Sequence, residues 1–381
     1  MAYFDNAATT FPKPECVYAF MDHFYRTNGI NAGRGNYGQA ITAGKLISDT
    51  RTRIQNLLHC PMKQVIFTSS DTIALNMILQ GLLLESAKTV YITPFEHNAV
   101  TRTLYHYQLK QMVDVEILTV TSTLDYDLDL IRAQFEKKRP DIVVMSHASN
   151  VCGLIAPVEE ISILAKKYNA VVIIDMAQTA GLIDCNIGLE TIDFAVFAGH
   201  KTLYGPTGIS GFVMKPGFDL KPVLFGGTGY DSANQLMPES LPQRYEMGTQ
   251  NISGIAGLYA ALGWLEEKTV PVVRNKEKEN RRHLIEILSR YSFISFVGLN
   301  DKQEYVGVVS ALIEGISSDS AGSVFDRLGI SVRTGLQCAP IAHKFLNTYP
   351  AGTIRFSTSY FTSEDDFREL EDALSYIEEN L

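Results

Sequence analysis

The chain has 381 residues, of which 46% are hydrophobic and 20% charged, and its formal net charge is −9. This balance predicts a globular chain with one large and one smaller domain, and its acidity argues against a nucleic-acid partner. No apolar stretch approaches the roughly 20 residues that cross a bilayer, and the start MAYFDNAATT lacks the features of a signal peptide, so we expect no membrane partner and a cytoplasmic location.

The cysteines predict neither a disulfide framework nor a zinc site, because their number is odd and no pair has CxxC spacing. They are Cys16, Cys60, Cys152, Cys185 and Cys338. We expect reduced thiols.

The first motif in chain order is a GxGxxG match at Gly33, Gly35 and Gly38. This fingerprint marks dinucleotide binding where it follows a strand and opens a helix. The preceding segment, FMDHFYRTNGINA, has a helical and turn-like pattern instead. We therefore predict that these glycines shape a loop at the entrance of a site and bind no nicotinamide cofactor.

Segment 67–76, FTSSDTIALN, predicts a strand, a hydroxyl-rich turn and the start of a helix. The helix amides of Asp71 and Thr72, together with the hydroxyls of Ser70 and Thr72, are suited to hold a phosphate dianion. The alternative is an ordinary helix cap.

Polar side chains follow three further predicted strands. His97 in FEHNAV follows TVYIT, Asn150 in ASNVCG follows DIVVMS, and Asp175 ends VVIID. Because the carboxyl ends of parallel strands meet at the edge of a sheet where ligands bind, these residues predict a binding crevice. His97 is suited to stack on a ring and Asn150 to donate a hydrogen bond to a ring oxygen or a carboxylate. The alternatives are a structural histidine and a helix-capping aspartate.

The next strand, in DFAVFAGHK, places His200 and Lys201 at the mouth of the same crevice. A carboxylate such as Asp175 beside a pyridine nitrogen keeps that nitrogen protonated, and a lysine forms an imine with an aldehyde. Together these residues predict pyridoxal phosphate (PLP) as the cofactor. A solvated lysine is the alternative.

Strand-like and helical segments alternate from about residue 15 to 255 and predict one large α/β domain on a mainly parallel sheet. A charged segment that begins at Glu266 predicts a solvated helix leading out of this domain. Strand-like FISFVG, GVVSALIEG, ISVRTG and TIRFSTS then alternate with helices. We therefore predict a smaller α+β domain over residues 256–381.

Eight motifs, in order and over nearly the whole chain, resemble those of the cysteine desulfurase and selenocysteine lyase family: DNAATT, FTSSDT, EHN, SNVCG, DMAQ, GHK, RYEMGTQN and RTGLQCAP. That family belongs to the class V aminotransferases of PLP fold type I. The resemblance implies a mainly parallel seven-stranded sheet in the large domain (15–255), adds residues 1–14 to the small domain (256–381), and implies a homodimer.

The resemblance also implies how the cofactor ring is held. Lys201 would be the Schiff-base lysine, Asp175 would pair with the pyridine nitrogen, Gln178 would bond the ring oxygen, and His97 would stack on the ring.

The phosphate would be held by Thr72 and His200, and in this family a Gly-Thr pair from the partner subunit completes the phosphate site. Gly248 and Thr249 in RYEMGTQN match that pair.

The residue that implies desulfurase chemistry is Cys338 in VRTGLQCAP, which stands where the family carries the sulfur-accepting thiolate. Attack of this thiolate on the substrate sulfur leaves alanine and an enzyme persulfide. The flanking Gly335 and Pro340 predict a loop, whereas inert packing is the alternative for a lone cysteine. Arg355 in GTIRFST matches the arginine that forks onto the substrate carboxylate.

Three departures from the family pattern are visible, and one of them is Tyr37, which stands about where a histidine often follows Arg-Gly in NAGRGNYG. Ala198 stands where serine usually precedes GHK, and Ser69 or Ser70 would have to supply the missing hydroxyl. The compact cysteine loop resembles the short-loop branch, but Leu-Gln, ending at Gln337, replaces two histidines. His343 either stands in for them or lies on a helix surface.

The sequence thus predicts a PLP enzyme that converts L-cysteine or selenocysteine to L-alanine, with the sulfur passed to Cys338. Its overall acidity would suit a basic sulfur-acceptor protein. The alternatives are a PLP-dependent β-lyase acting on a modified cysteine, a class V aminotransferase or epimerase that does not use Cys338, and a scaffold protein that keeps only the fold.

Overall fold

The computed structural model describes residues 1–32, 35, 37–84, 88–230 and 233–380. Its strands are β1 (Ala2–Tyr3), β2 (Gln64–Thr68), β3 (Lys88–Ile92), β4 (Val113–Ile117), β5 (Ile142–Ser146), β6 (Val171–Asp175), β7 (Phe194–Ala198), β8 (Ser210–Met214), β9 (Ile294–Val297), β10 (Val308–Ile313), β11 (Ile330–Ser331), β12 (Arg333–Gly335) and β13 (Thr353–Ser357). Its helices are α1 (Glu15–Asn28), α2 (Gly38–Leu57), α3 (Asp71–Leu83), α4 (Asn98–Gln108), α5 (Leu128–Lys137), α6 (Val158–Lys166), α7 (Ile252–Lys268), α8 (Val270–Leu288), α9 (Ser318–Arg327), α10 (Pro340–Phe345) and α11 (Glu364–Asn380).

The central sheet has the strand order β2-β8-β7-β6-β5-β3-β4. Neighbours from β7 to β4 are parallel, and β8 runs antiparallel to both β2 and β7. Every residue of β5 and β7 is buried, as expected of parallel strands covered on both faces. This architecture confirms the predicted α/β fold with a mainly parallel seven-stranded sheet.

Side chains of the central strands alternate between two cores. In β7, Ala195 and Phe197 belong to one core, and Phe194 and Val196 belong to the other. Residues of α1, α2 and α7 complete the first core, and residues of α3 and α4 complete the second. The period of two that builds a strand therefore seals both faces of the sheet, and a ligand can meet protein side chains only where the strands end.

A second, four-stranded sheet is antiparallel, with the order β12-β13-β10-β9. Its core contains Phe325 of α9, Phe356 of β13 and Phe367 of α11. The N-terminus joins this layer, because β1 pairs in parallel with β11 and Phe4 is buried in the same core.

The charged segment that begins at Glu266 is not one solvated helix. The chain breaks between α7 and α8 at Thr269, whose φ is +70°, and Val273 and Leu284 on α8 are buried. The central part of α8 is rich in charged residues and predicts a solvated helix, but Val273, Leu284, Ile287 and Leu288 near its two ends are buried. Since α7 packs against α1 and α2, we propose that the large domain extends past residue 255 to the end of α7.

Of the GxGxxG glycines, Gly33 lies outside the described residues, and Gly38 opens α2. The preceding segment forms α1 rather than a strand. Within the described ranges, no helix is long and apolar enough to cross a membrane.

Candidate active site

The polar residues predicted from the sequence meet at one edge of the central sheet. Asp175 ends β6, and His97, Asn150 and Lys201 follow β3, β5 and β7. These four strands are parallel, so their carboxyl ends share one edge. After burial, the charge of Lys201 is the next influence on the pKa values of His97 and His200, which places these groups around a common space.

Lys201 presents a free amine, since its Nζ has no hydrogen bond or ion pair with any described residue. Its backbone is held by the N-terminal segment. The carbonyl of Lys201 accepts from Thr10 Oγ1 at 3.0 Å, and the carbonyl of His200 accepts from Lys13 Nζ at 2.6 Å. Burial lowers the pKa of Lys13 to about 7. The sequence analysis did not identify Lys13, because nothing in FPKPE distinguishes it from a surface lysine.

Asp175 has one carboxylate oxygen engaged and one available. Oδ1 accepts the backbone N–H of Ala177 at 2.9 Å, whereas Oδ2 has no partner among the described residues. Burial, followed by the charge of Asp71, raises the pKa of Asp175 to about 6. A cationic nitrogen at Oδ2 would stabilise the ionised form, so this oxygen is suited to a protonated ring nitrogen.

Glu96 is a buried carboxyl beside Asp175 that the sequence analysis missed. Its Oε1 accepts from Thr93 Oγ1 at 2.7 Å and from the Ser146 N–H at 2.6 Å, and its Oε2 accepts from Ser146 Oγ at 2.9 Å. Ser146 pairs with Asp175 across the sheet. Burial raises the pKa of Glu96 to about 7, and the charge of Asp175 adds to the shift. Glu96 therefore ties the end of β5 to the turn after β3. In the sequence, the only indication of this role was an acidic residue directly before His97.

His97 caps α4, and its Nδ1 accepts the backbone N–H of Ala99 at 3.1 Å. A ring nitrogen that accepts cannot carry the proton, so the neutral ring has its hydrogen on Nε2. Burial, followed by the charge of Lys201, lowers the pKa of His97 to about 4. At neutral pH this ring offers a face for stacking and one N–H donor rather than a base.

The turn before α3 has the predicted cap geometry. Ser70 Oγ accepts the N–H of Ile73 at 3.2 Å, and Thr72 is exposed at the helix start with its side chain lining a cavity. His200 Nδ1 is buried without a hydrogen-bond partner. Ala198 is buried at the end of β7, so the hydroxyl that it lacks would have to come from the α3 turn.

Asn150 and Gln178 are both buried and already engaged. Asn150 Nδ2 donates to the carbonyl of Gln337 at 2.7 Å, and Gln178 Nε2 donates to the carbonyl of Ala7 at 2.9 Å. Gln178 Oε1 has no partner among the described residues. The predicted donation from Gln178 to a ring oxygen uses the second hydrogen of its amide.

Cys338 is exposed on the loop between β12 and α10. It lies at the junction of two cavities. The inner cavity, of about 490 Å³, lies along α3 and α4 and is lined by Thr72, His97 and Arg102. The outer cavity, of about 660 Å³, opens between α4 and α10. The carbonyl of Cys338 accepts the N–H of Asn98 at 2.7 Å, so the thiol-bearing residue is anchored next to His97.

Arg355 is 3% exposed on β13. Its Nη1 donates to the carbonyl of Asn150 at 2.9 Å, and its Nη2 pairs with Asp5 Oδ1 at 2.8 Å. Arg333 binds the other oxygen of Asp5 at 2.7 Å. Arg355 Nε is buried without a partner. Burial lowers the pKa of Arg355, and Asp5 and Cys338 oppose that effect, which places Cys338 near this guanidinium.

His343 does not lie on a helix surface, because it is fully buried. Its Nε2 bonds Gln337 Oε1 at 2.8 Å and its Nδ1 bonds Thr348 Oγ1 at 2.7 Å. It therefore acts on the residue before Cys338. The sequence could not show this, because the apolar pocket around His343 is assembled by the tertiary structure.

Gly248 and Thr249 are exposed, and the structure does not bring them to the inner cavity of the same chain. Thr249 lines a separate cavity together with Ser69 and Ile73. The family resemblance assigns Thr249 to the phosphate site of a partner subunit, and this assignment stays a prediction.

The residues present fit PLP by the chemistry of their free atoms. Lys201 has an unpaired amine, Asp175 an unpaired carboxylate oxygen, and His200 a buried nitrogen without a partner. An aldehyde, a ring nitrogen and a phosphate are the complementary groups of that cofactor.

The comparisons agree with this architecture. The family model described as aminotransferase class-V matches residues 2–370. The chain is 31% identical to a probable cysteine desulfurase of Aeropyrum pernix, over 99% of this chain and 94% of that protein, and 29% identical to one of Pyrococcus abyssi, over 99% and 93%. An apo structure of cysteine desulfurase from Thermococcus onnurineus superimposes with a TM-score of 0.90 at 26% identity, covering 100% of this chain and 95% of that one. The chain belongs to the class-V aminotransferase family and is an enzyme.

Proposed function

We propose that this enzyme is a PLP-dependent cysteine desulfurase that converts L-cysteine, with selenocysteine as a second substrate, to L-alanine and retains the sulfur on Cys338. The observation that carries the proposal is the placement of an exposed cysteine at the mouth of the cavity that His97 and Thr72 line. The names of the relatives from Aeropyrum pernix and Pyrococcus abyssi support the same reaction.

PLP, when bound, supplies an electron sink for charge that develops on the substrate. Lys201 would hold its aldehyde carbon covalently, and Asp175 Oδ2 would keep its ring nitrogen protonated. Gln178 would donate to the ring oxygen, and His97 would pack on the ring. Burial of Asp175 excludes water from this ion pair and thereby strengthens it.

The phosphate would be held by the start of α3 and by His200. Thr72 offers its hydroxyl and the helix offers the free amides of Asp71 and Thr72, with the hydroxyl of Ser70 beside them. Burial lowers the pKa of His200 to about 4, so His200 would act as a neutral donor rather than as a cation.

Arg355 and Asn150 would hold the substrate carboxylate. A guanidinium matches a carboxylate in geometry and charge, and Arg355 Nε is unpartnered in a buried setting. The carbonyl of Asn150 and the carboxylate of Asp5 keep the guanidinium plane fixed. The substrate would thus be oriented with its sulfur toward Cys338.

The sulfur-transfer step belongs to Cys338. Its thiolate would attack the substrate sulfur, so that an S–S bond forms on Cys338 and the Cβ–S bond of the substrate breaks. The electron pair of the broken bond goes to Cβ, which takes up a proton and becomes the methyl group of alanine. A persulfide at this exposed position is open to a second thiol, and since the cysteines are free we propose a reducing, cytoplasmic setting.

The acceptor of the persulfide would be an acidic thiol protein rather than the basic one that the net charge suggests. The charged residues that line the two cavities beside Cys338 are Arg102 and Lys344, with His106 nearby, and no carboxylate lines them among the described residues. Local charge governs steering over about a Debye length. We expect Lys344→Glu to slow sulfur transfer to an acidic thiol peptide, and transfer unchanged in rate would contradict an acidic acceptor.

The test of the proposed function is a comparison of the wild type with Cys338→Ala, measuring alanine formed from cysteine in the presence of a reductant. We expect the variant to lose alanine formation while its PLP absorbance stays unchanged. Cys16→Ala, at the other exposed cysteine, is the matched control and should keep full activity. A β-lyase that expels its sulfur group without a protein thiol would survive Cys338→Ala, and that result would replace the desulfurase proposal.

A further inference from the structure

We infer that Gln337 is a positioning residue whose side chain, bound to His343 and Thr353, sets the conformation of the loop that carries Cys338. The role in catalysis rests on the function proposed above for this thiol.

The loop has an unusual backbone at two consecutive residues. Gln337 has a φ of +39° and Cys338 a φ of +58°. Residues with side chains rarely occupy this left-handed region, and such conformations persist only when the surroundings hold them. The side chain of Cys338 is exposed and makes no hydrogen bond with the described residues, so the loop must be held by other groups.

The side chain of Gln337 supplies the first of these restraints. It is 8% exposed, although the next residue is exposed. Its Nε2 donates to the carbonyl of Thr353 at 2.9 Å, and its Oε1 accepts from His343 Nε2 at 2.8 Å. Gln337 thus joins the loop to both β13 and α10.

The hydrogen-bond pattern also determines the state of His343. Because Gln337 Nε2 is committed to a carbonyl, its oxygen faces His343, whose proton must therefore be on Nε2. The other ring nitrogen accepts from Thr348 Oγ1 at 2.7 Å. Burial lowers the pKa of His343 to about 4, so the imidazole stays neutral and the network keeps one arrangement at neutral pH.

The backbone of the loop is anchored to the active site at the same two residues. Asn150 Nδ2 donates to the carbonyl of Gln337 at 2.7 Å, and the N–H of Asn98 donates to the carbonyl of Cys338 at 2.7 Å. Asn150 also holds Arg355 through its own carbonyl. A thiol fixed in this way keeps a constant position relative to the bound substrate, which is the condition for efficient attack.

The experiment compares Gln337→Met with the wild type. Methionine keeps the length of the side chain but loses its hydrogen bonds to His343 and Thr353. We expect backbone amides of residues 335–342 to exchange with deuterium at least about tenfold faster. We also expect kcat for alanine formation to fall about tenfold or more, while KM and PLP absorbance stay within about twofold. Gln111→Met, at an exposed glutamine that also has a positive φ of +55°, is the matched control and should change none of these.

A double-mutant cycle with His343→Ala tests whether the two side chains act as a unit. If they do, the double variant exchanges no faster than Gln337→Met alone. Unchanged exchange in Gln337→Met, or effects that simply add, would overturn the inference. Should Gln337→Met fail to fold, Thr348→Val removes the hydroxyl that bonds His343 at its Nδ1 and its carbonyl, and unchanged exchange in that variant would overturn the inference as well.

Exchange is measured without cysteine turnover, so the two proposals can fail separately. Faster exchange in Gln337→Met, in an enzyme whose wild type forms no alanine, would support the positioning role and overturn the desulfurase function.

Discussion

Arg355 both holds neighbouring groups of the protein and is predicted to bind the substrate carboxylate, with different nitrogens of its guanidinium. Its Nη groups hold Asn150 and Asp5, whereas Nε is left without a partner. A lysine at this position would keep the charge but not the planar fork, so it could not bind Asp5 and a carboxylate in fixed geometry. Arg333 shares Asp5 but is half exposed, which makes it a natural comparison.

We predict that Arg355→Lys raises KM for cysteine about tenfold or more, since hydrogen bonds to charged groups contribute about 1.5–3 kcal/mol. The value of kcat should stay within about threefold, because the carboxylate contact is present before and during reaction. Steady-state kinetics of alanine formation measure both. Arg333→Lys should leave KM within about twofold, and equal KM values in all three proteins would remove Arg355 from the substrate site.

Among the elements, α8 shows how a helix can carry a buried ionisable side chain for structural reasons. Glu277 is 4% exposed, and its Oε1 accepts the N–H of Gly307 at 2.7 Å, which ties α8 to the start of β10. Burial raises the pKa of Glu277 from 4.5 to about 7. The folded protein therefore keeps this proton at a pH at which the unfolded chain has released it.

We predict that Glu277→Gln removes part of the pH dependence of stability. The pKa of Glu277 is higher in the folded protein than in the unfolded chain. The stabilisation that the protonated carboxyl contributes to the folded state is therefore lost as pH rises from about 4.5 to 7. Between pH 5 and pH 8 the wild type should lose about 2 to 3 kcal/mol of unfolding free energy that the variant keeps. Urea unfolding at both pH values measures this. Glu279→Gln, at an exposed residue on the same helix, should show the same dependence of unfolding free energy on pH as the wild type. If Glu277→Gln also kept the wild-type dependence, the buried-carboxyl explanation would be refuted.

At the scale of the whole molecule, the predicted role of Thr249 in the phosphate site of a partner subunit has a consequence for assembly. The two lie in different cavities of one chain. If Thr249 completes the phosphate site of a partner, each active site of a symmetric dimer contains residues of both subunits.

We predict that two inactive variants complement each other. Lys201→Ala removes the lysine of its own site, and Thr249→Arg blocks the phosphate site of the partner. In a mixed dimer one site carries both changes and the other carries neither. After subunit exchange, alanine formation should recover to about a quarter of the wild-type level, because half of the dimers have one intact site. The control mixes Lys201→Ala with a chain that carries both Thr249→Arg and Thr72→Val, so that no site is intact. If the mixture of the first two variants stays inactive, that result would argue against a shared site.

Several predictions made from the sequence depended on local patterns, and these were the reliable ones. Short β-branched runs such as the one ending at Asp175 indicate buried parallel strands. The carboxyl ends of parallel strands lie at the same edge of the sheet, irrespective of the conformation of the connecting loops. The same reasoning located Lys201. The solvated helix predicted from Glu266 onward was wrong, because burial of α8 depends on a few apolar positions rather than on composition.

What the amino-acid sequence determined by itself is the alternation of strands and helices on a mainly parallel sheet and the family, because periodicity and motifs are local properties of the chain. The number of seven strands was implied by the family resemblance. The roles of Cys338 and Arg355 came from family resemblance and stay predictions. Only the tertiary structure showed that Glu96, Gln337 and His343 belong to the site. Their partners are distant in sequence, and burial by segments far along the chain creates both their hydrogen bonds and their shifted pKa values.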